Sequence, residues 1–303
     1  MSAPTSIRDR LGRLVVLALP YLWMGVFFLL PFLILLRLSF SETRIGIPPY
    51  TEIFEWLGGL QFEIKGTLGN YFFLLDDQLY VAAYLNSIKV AGISTICCLL
   101  VGYPIALGIS RVQNRTWRNM LLMMVILPFW TSFLIRVYAW IGLLKNEGLI
   151  NQVLIAIGLI DQPLPMLHSP FAVYLGITYS YLPFMILPLY ATLERLDPTL
   201  LEAAADLGAK PRTAFFRVTL PLSLPGIIAG SMLVFIPAVG EFVIPDLLGG
   251  SSTLMIGKVL WNEFFLNRDW PLAATVGVVM LVLLVTPFVW WQRRQAAAEE
   301  QQQ

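Results

Sequence analysis

Charge is what this sequence has least of. Acidic and basic residues together make up 13% of its 303 residues, against about 25% in ordinary soluble domains. With 57% of the chain hydrophobic, there is more apolar surface than a water-soluble globule can hide, so the solvent it fits is a lipid bilayer. A net charge of +1 gives no global field for nucleic acid. Histidine occurs once, as His168, and cysteine twice, as the adjacent pair Cys97 and Cys98. No Cys/His cluster with metal-ligand spacing exists. Neighbouring cysteines on a helix point in different directions and make a poor disulfide, so these two read as small core or lipid-facing residues. The phosphate-binding pattern G-x-x-x-x-G-K-[ST] is missing, which excludes ATP hydrolysis by the usual route. No histidine falls in any apolar run and the aspartates sit at run ends, which argues against an intramembrane protease.

What is present is a series of apolar runs. A spanning helix needs about 20 such residues, at about 1.5 Å of rise per residue. Six candidates follow, at 14–36, 85–109, 119–143, 171–193, 224–248 and 272–291. The fold class expected is an all-α membrane protein with six transmembrane helices. The cluster Arg8, Arg10 and Arg13 resembles the n-region of a signal peptide. The run behind it is too long for an h-region and no A-x-A site follows, so it reads as a retained first helix. Arginine and lysine concentrate at the N-terminus, between the second and third runs, between the fourth and fifth, and at Arg293 and Arg294. The positive-inside rule then places residues 1–13 and a short, loose tail at 294–303 in the cytoplasm, on either side of a membrane domain at 14–293. Proline interrupts most runs, among them Pro104, Pro128, Pro183, Pro188, Pro237 and Pro245. Each removes a backbone hydrogen bond and predicts a kink.

The loop at 194–223 carries more information than a basic connection needs. Asp197 can cap a helix with Pro198 at its first position. Thr199 to Leu207 reads as helix, and Gly208 supplies a stop. Pro211 opens a second short helix bearing Phe215, Phe216 and Val218, which Leu220-Pro221 is expected to end. Ala203 to Ala205 form a small-residue face open to close approach.

The spacing Glu202-Ala203-Ala204, three residues, Gly208, nine residues, Val218, Thr219, Leu220-Pro221 resembles the cytoplasmic signature of ABC-importer permeases, with Val in place of Ile. The resemblance implies the type I ABC-importer permease fold: a core of about five helices per subunit, completed across a heterodimer, with the first helix wrapping the partner. It implies a bacterial inner-membrane, multi-pass subunit that works with a second homologous permease, an ATPase dimer that binds ATP and Mg, and a periplasmic binding protein. It makes Glu202, Ala203, Ala204, Asp206 and Gly208 the ATPase-coupling residues. No cofactor or metal belongs to this chain, and it is a transport subunit rather than an enzyme.

Further segments resemble the polyamine (spermidine/putrescine) permeases. These are Gly102-Tyr103-Pro104, Leu127 to Ser132 with Leu134-Ile135-Arg136, Ile160 to Pro163, Pro237 to Gly250, and Arg268 to Pro271. Pro48-Pro49-Tyr50-Thr51-Glu52 and Gly240-Glu241-Phe242 bring the chain nearest the putrescine type. A polyamine is a flexible polycation, so its pathway should offer carboxylates and aromatic faces. Glu241 lies inside the fifth run, where a carboxylate costs about 2.5–3.5 kcal/mol and marks a pathway by default. Asp246 follows about one turn on, toward the outer mouth. Trp130, Tyr138 and Tyr181, with Trp140 and Tyr179, can supply cation–π faces. The plainer alternatives are an ion pair between Glu241 and Arg136 and an interfacial aromatic belt. The acidic loop at 40–84 is either a docking surface for the binding protein or a solvated lid. Iron, thiamine or thiosulfate could use the same architecture, although Glu241 disfavours an anion. A proton-coupled carrier would show internal repeats and its own coupling carboxylates, and would leave the 194–223 signature without a purpose.

Overall fold

The structure is a computed structural model that describes residues 7–56, 62–250 and 253–300. It divides into two compact units, one of residues up to 78 together with 260 onward, the other of 79–259.

In the first unit, α1 (Ile7–Met24) runs through a π turn (Gly25–Leu29) into α2 (Leu30–Ser39). Pro31 follows that π turn by two residues. A wider turn relieves the clash between a proline ring and the carbonyl four residues back. The residues from Val16 to Leu30 that are large and apolar stay largely exposed, as befits a helix facing lipid or another subunit. Strands β1 (Phe54–Trp56) and β2 (Phe62–Ile64) form a small antiparallel hairpin. Helix α3 (Gly69–Asp76) follows. Helix α2 packs on α15 (Trp270–Glu300). The buried Thr275 hydroxyl donates to Ser39 O at 3.1 Å, and Asn70 Nδ2 donates to Ser41 O at 2.8 Å. Asp269 accepts from the Thr43 hydroxyl at 2.6 Å and caps α15 through Leu272 N at 3.0 Å. Helix α15 continues to Glu300, so the residues from 294 to 300 extend the last helix rather than forming the loose tail expected. Gln295 to Glu300, with three alanines and two glutamates, is good helix former.

The second unit is built on α4 (Gln78–Ser110), α8 (Pro170–Leu193) and α12 (Leu224–Val239). Its core joins Cys98, Tyr103, Ala106 and Ile109 of α4 to Met185, Ile186, Leu189 and Leu193 of α8 and Val234 of α12. Lipid is as apolar as these side chains, so close packing rather than hydrophobic burial holds such helices together. Small residues set the distance: a Cβ on Gly226 would stand 2.6 Å from Thr192 Oγ1, and one on Gly230 2.9 Å from Met185 Sδ. Both cysteines are free, and Cys98 is fully buried in the core.

Two of the expected spans are not straight helices. The run at 119–143 is split into α5 (Arg115–Ile126), a 3-10 turn (Leu127–Trp130) and α6 (Phe133–Leu144), the two arms meeting at 91°. Pro128 tightens the turn, and Thr131 is extended (φ −91°, ψ 151°), which ends the helical ladder before Ser132. The run at 224–248 is split too, because α12 stops at Val239 and α13 (Val243–Leu248) starts afresh after Gly240. Among the described residues, four helices are long and apolar enough to cross a membrane unbroken, and counting each bent pair as one span gives up to six. The short helix α7 (Leu149–Ala156) also belongs to this unit, and α14 (Ile256–Trp261) begins within it.

Candidate functional site

The 194–223 segment folds as local signals dictate. Asp197 Oδ1 accepts from Thr199 N at 3.0 Å, starting α9 (Thr199–Asp206). Hydrogen bonds from Thr199 hold the Asp197 carboxyl below the usual carboxylate range. That contribution to the helix start is therefore present above the ordinary carboxylate pKa and disappears as pH falls through the lowered one. At the other end Gly208 sits at φ +77°, Ala209 N–H donates to Ala204 O at 2.9 Å and Gly208 N–H to Ala205 O at 2.8 Å. This is a Schellman stop, and the left-handed residue in it favours glycine. Glu202, Ala203 and Asp206 are exposed on α9, and Ala204 is half-buried. Leu207, which follows α9 directly, is 88% exposed, and Phe216 in the next helical segment is 63% exposed. An apolar side chain so open to water, next to small residues, suits contact with another protein.

The second short helix does not end at Leu220-Pro221. Helix α10 (Pro211–Ala214) passes through a π turn (Phe215–Thr219) into α11 (Leu220–Leu222), and the chain bends by 62° into α12. Pro221 stands two residues after the π turn, as Pro31 does, so the ring is accommodated instead of terminating the helix. Phe215 packs edge-on against Tyr103 at 5.7 Å, and Tyr103 hydroxyl bonds Ser223 Oγ at 3.0 Å. The surface helices are thereby fixed to α4 and to the root of α12.

At the far end of α12 lies the second site. Glu241 occupies the break between α12 and α13 and is 8% exposed. Its Oε1 accepts from the backbone N–H groups of Val243 at 3.1 Å and Ile244 at 3.4 Å, capping α13. Its Oε2 accepts from the Tyr181 hydroxyl at 2.6 Å. Tyr181 is the twelfth of the 24 residues of α8, so this carboxylate lies near the middle of a helix long enough to span the bilayer. Non-helical backbone at that depth is tolerated only where protein surrounds it or it lines a cavity. Glycine permits the packing: a Cβ on Gly257 would stand 2.3 Å from Gly240 O and 2.8 Å from Glu241 O.

Asp246, one turn into α13, is half exposed and pairs with Lys258 of α14, Nζ to Oδ1 at 2.8 Å. Its level is set by α13 against α8, since a Cβ on Gly176 would meet Leu248 and Ile244. Asp246 therefore lies nearer the Pro170 end of the span than Glu241 does.

Of the sequence-derived pathway residues, Glu241 and Tyr181 come together directly. Trp130 at the α5–α6 bend (84% exposed) and Tyr138 within α6 (59%) are both open on the surface of the subunit. Arg136 does not meet Glu241. Its guanidinium lies 5.3 Å from the Phe129 ring and 5.8 Å from the Phe133 ring. Its Nε and Nη1 are buried without hydrogen-bond partners among the described residues. Phe129 abuts Phe184 at 5.0 Å, and Phe184 lies 6.1 Å from Tyr181. Aromatic rings thus stand between the cation and the carboxylate. Sequence reasoning missed Lys258, Leu207 and the Phe129–Phe184 contact. Lysine at 258 carries a signal in hindsight, because a lone basic residue in an apolar stretch needs a partner.

Known proteins resemble this chain in sequence and fold. Residues 99–298 match the profile of the family described as binding-protein-dependent transport system inner membrane component. The spermidine/putrescine transport system permease protein PotB of Haemophilus influenzae is 43% identical over 270 residues, 89% of each chain. The protein of the same name from Escherichia coli is 40% identical over 262 residues, 86% of this chain and 90% of its own. Among solved structures, a chain of a bacterial alginate ABC transporter in complex with its pentasaccharide-bound periplasmic protein aligns with a TM-score of 0.66. That match has 19% identity and covers 92% of this chain and 91% of the other, a likeness of fold alone. The broken, all-helical span arrangement is that of the type I ABC-importer permeases.

Proposed function

The chain belongs to the binding-protein-dependent transport system inner membrane components, and from that membership we propose that it is one permease half of an ATP-driven polyamine importer with putrescine as its cargo. The observation that carries this reading is α9: an exposed Glu202-Ala203-Ala204 helix closed by left-handed Gly208 and joined through α10 and α11 to the span that holds the buried carboxylate. A second, related permease completes the pathway. Two ATPase subunits bind ATP and Mg and receive α9 in a groove. A periplasmic polyamine-binding protein delivers cargo to the opposite mouth. Both termini and the α9 surface face the cytoplasm, in keeping with the arginine bias.

ATPase closure moves α9. Phe215, Tyr103 and Ser223 pass that motion to the root of α12. The far end of α12 is the Gly240 break, so the carboxylate region changes its surroundings as the ATPases open and close. The cycle is a population shift between two states of the pathway, driven by the differential affinity of the ATPases for them. A polyamine shedding water in the pathway needs anionic and aromatic replacements. Half-exposed Asp246 offers the first, and the faces of Trp130 and Tyr138 contribute about 0.5–2 kcal/mol each. Glu241 and Tyr181 hold the break in shape and set a negative potential at mid-depth.

The experiment is site-directed cross-linking at Ala203→Cys, in a Cys97→Ala/Cys98→Ala background, to cysteines around the groove of the co-expressed ATPase. Cross-linking that changes in yield when ATP is added supports α9 as the coupling helix. A complex that assembles without any cross-link at Ala203 contradicts it.

A further inference from the structure

Lys258, the partner of Asp246, is the residue left without a role. Two partly exposed charges lie at 2.8 Å from each other on the short helices α13 and α14. An exposed ion pair contributes little to stability, and this one is not needed to hold α14. The segment leading into α14 is already anchored to α4, where Ile256 N donates to Ser87 Oγ at 2.8 Å and Asn86 Nδ2 to Leu254 O at 2.8 Å. Gly257 is pressed on the Gly240 and Glu241 carbonyls. The root of Lys258 is therefore fixed by backbone contacts, while its side chain delivers an ammonium on a flexible four-carbon stem. That is the chemistry of a terminal alkylammonium, the group a polyamine carries at each end. Asp246 is the accessible carboxylate of the two. Glu241 is buried, with both oxygens already accepting hydrogen bonds.

We propose that Lys258 is a tethered competitor of the cargo. It occupies the Asp246 carboxylate when the pathway is empty, and the ammonium of the passing polyamine displaces it. The inference rests on the polyamine reading above. In this arrangement the empty pathway keeps Asp246 neutralised. Cargo binding exchanges one ammonium for another with no change in net charge, and the returning lysine helps to expel the cargo. A neutral solute gains nothing from the exchange, and an anion meets a lysine that Asp246 already holds.

The test is equilibrium binding of radiolabelled putrescine to the purified complex of both permeases and the ATPases, without receptor, beside ATP-dependent uptake by the same complex in proteoliposomes. Lys258→Gln and Lys258→Met should bind putrescine more tightly than wild type, by up to about fivefold, the most that a pair of this exposure is worth. Lys258→Arg should keep the weak binding of wild type, and Asp246→Asn added to Lys258→Gln should remove the gain. Uptake by the two neutral variants should fall although they bind better, because expulsion loses its competitor. Wild-type uptake of putrescine with no gain in binding in either neutral variant overturns the inference and leaves the cargo reading standing. The inference is overturned in the same way if both neutral variants instead lose thermal stability and Lys258→Arg restores it. An assembled wild-type complex that imports no polyamine overturns the cargo reading and the inference with it.

Discussion

Glu241 is held by three donors, and what it does can be separated from what it looks like in the sequence. A hydrogen bond to a charged group contributes about 1.5–3 kcal/mol, and a stranded buried donor costs about 1–3 kcal/mol. Glu241→Ala strands the Tyr181 hydroxyl and the amides that begin α13. It should lower the stability of the purified subunit by about 3 kcal/mol or more in a thermal unfolding assay. Glu241→Gln keeps an acceptor for the amides, so its loss should be about half as large, and Tyr181→Phe should resemble it. If Glu241→Ala leaves the melting temperature unchanged while uptake is lost, Glu241 serves the cargo rather than the fold. The sequence pointed to Glu241 because a carboxylate inside an apolar run is conspicuous. It could not distinguish Tyr181 from Arg136 as partner, since the nearest aromatic and the nearest cation both sit on neighbouring spans. The lysine beside Asp246 is twelve positions on, and only the return of the chain through Gly249 and Met255 brings it back.

Elements were legible where their boundaries are made by adjacent residues. Helix α9 begins at Asp197-Pro198 and ends at Gly208, and each signal acts within one turn of the helix it delimits. Pro128 marked a kink in its apolar run, but neither the sharpness of that bend nor the gap at Gly240 was legible, because both residues occur among neighbours equally suited to an unbroken membrane helix. The helices on either side of both breaks, α5 and α6 at the 91° bend and α12 and α13 at the gap after Val239, all pack on α8. Two predictions belong to this scale. Gly208→Ala forces a Cβ into the left-handed region at a cost of about 1–2 kcal/mol, while Gly208→Asn is tolerated better. Substrate-stimulated ATPase activity should therefore fall in Gly208→Ala and be largely kept in Gly208→Asn. Equal activity in the two variants contradicts a coupling role for the stop. Gly257→Ala sets a methyl 2.3 Å from Gly240 O. Overpacking of this kind costs about 1–3 kcal/mol, which should appear as a lower melting temperature in detergent and a smaller folded yield. An unchanged melting temperature would mean that the break region yields more readily than its packing implies.

At the scale of the whole molecule, the low charge and long apolar runs reveal a membrane protein, and the signature at 194–223 resembles that of the ABC-importer permeases. Neither reveals the cargo, because a permease pathway is apolar on its lipid side and mostly apolar within. The arginine bias predicts orientation: a single cysteine at Ala209, in a Cys97→Ala/Cys98→Ala background, should react with a membrane-impermeant maleimide in inside-out vesicles and stay protected in right-side-out ones. Reaction from the outside alone would invert the topology and remove α9 from any ATPase. The most direct test of the central claim is ATP-dependent uptake of labelled putrescine by this chain, its partner permease, the ATPases and the binding protein in proteoliposomes. The account predicts uptake that requires ATP, the receptor and this subunit together, and that persists when the proton gradient is dissipated. Uptake abolished by an uncoupler yet indifferent to ATP, or ATP-driven import of another solute with none of putrescine, would contradict it.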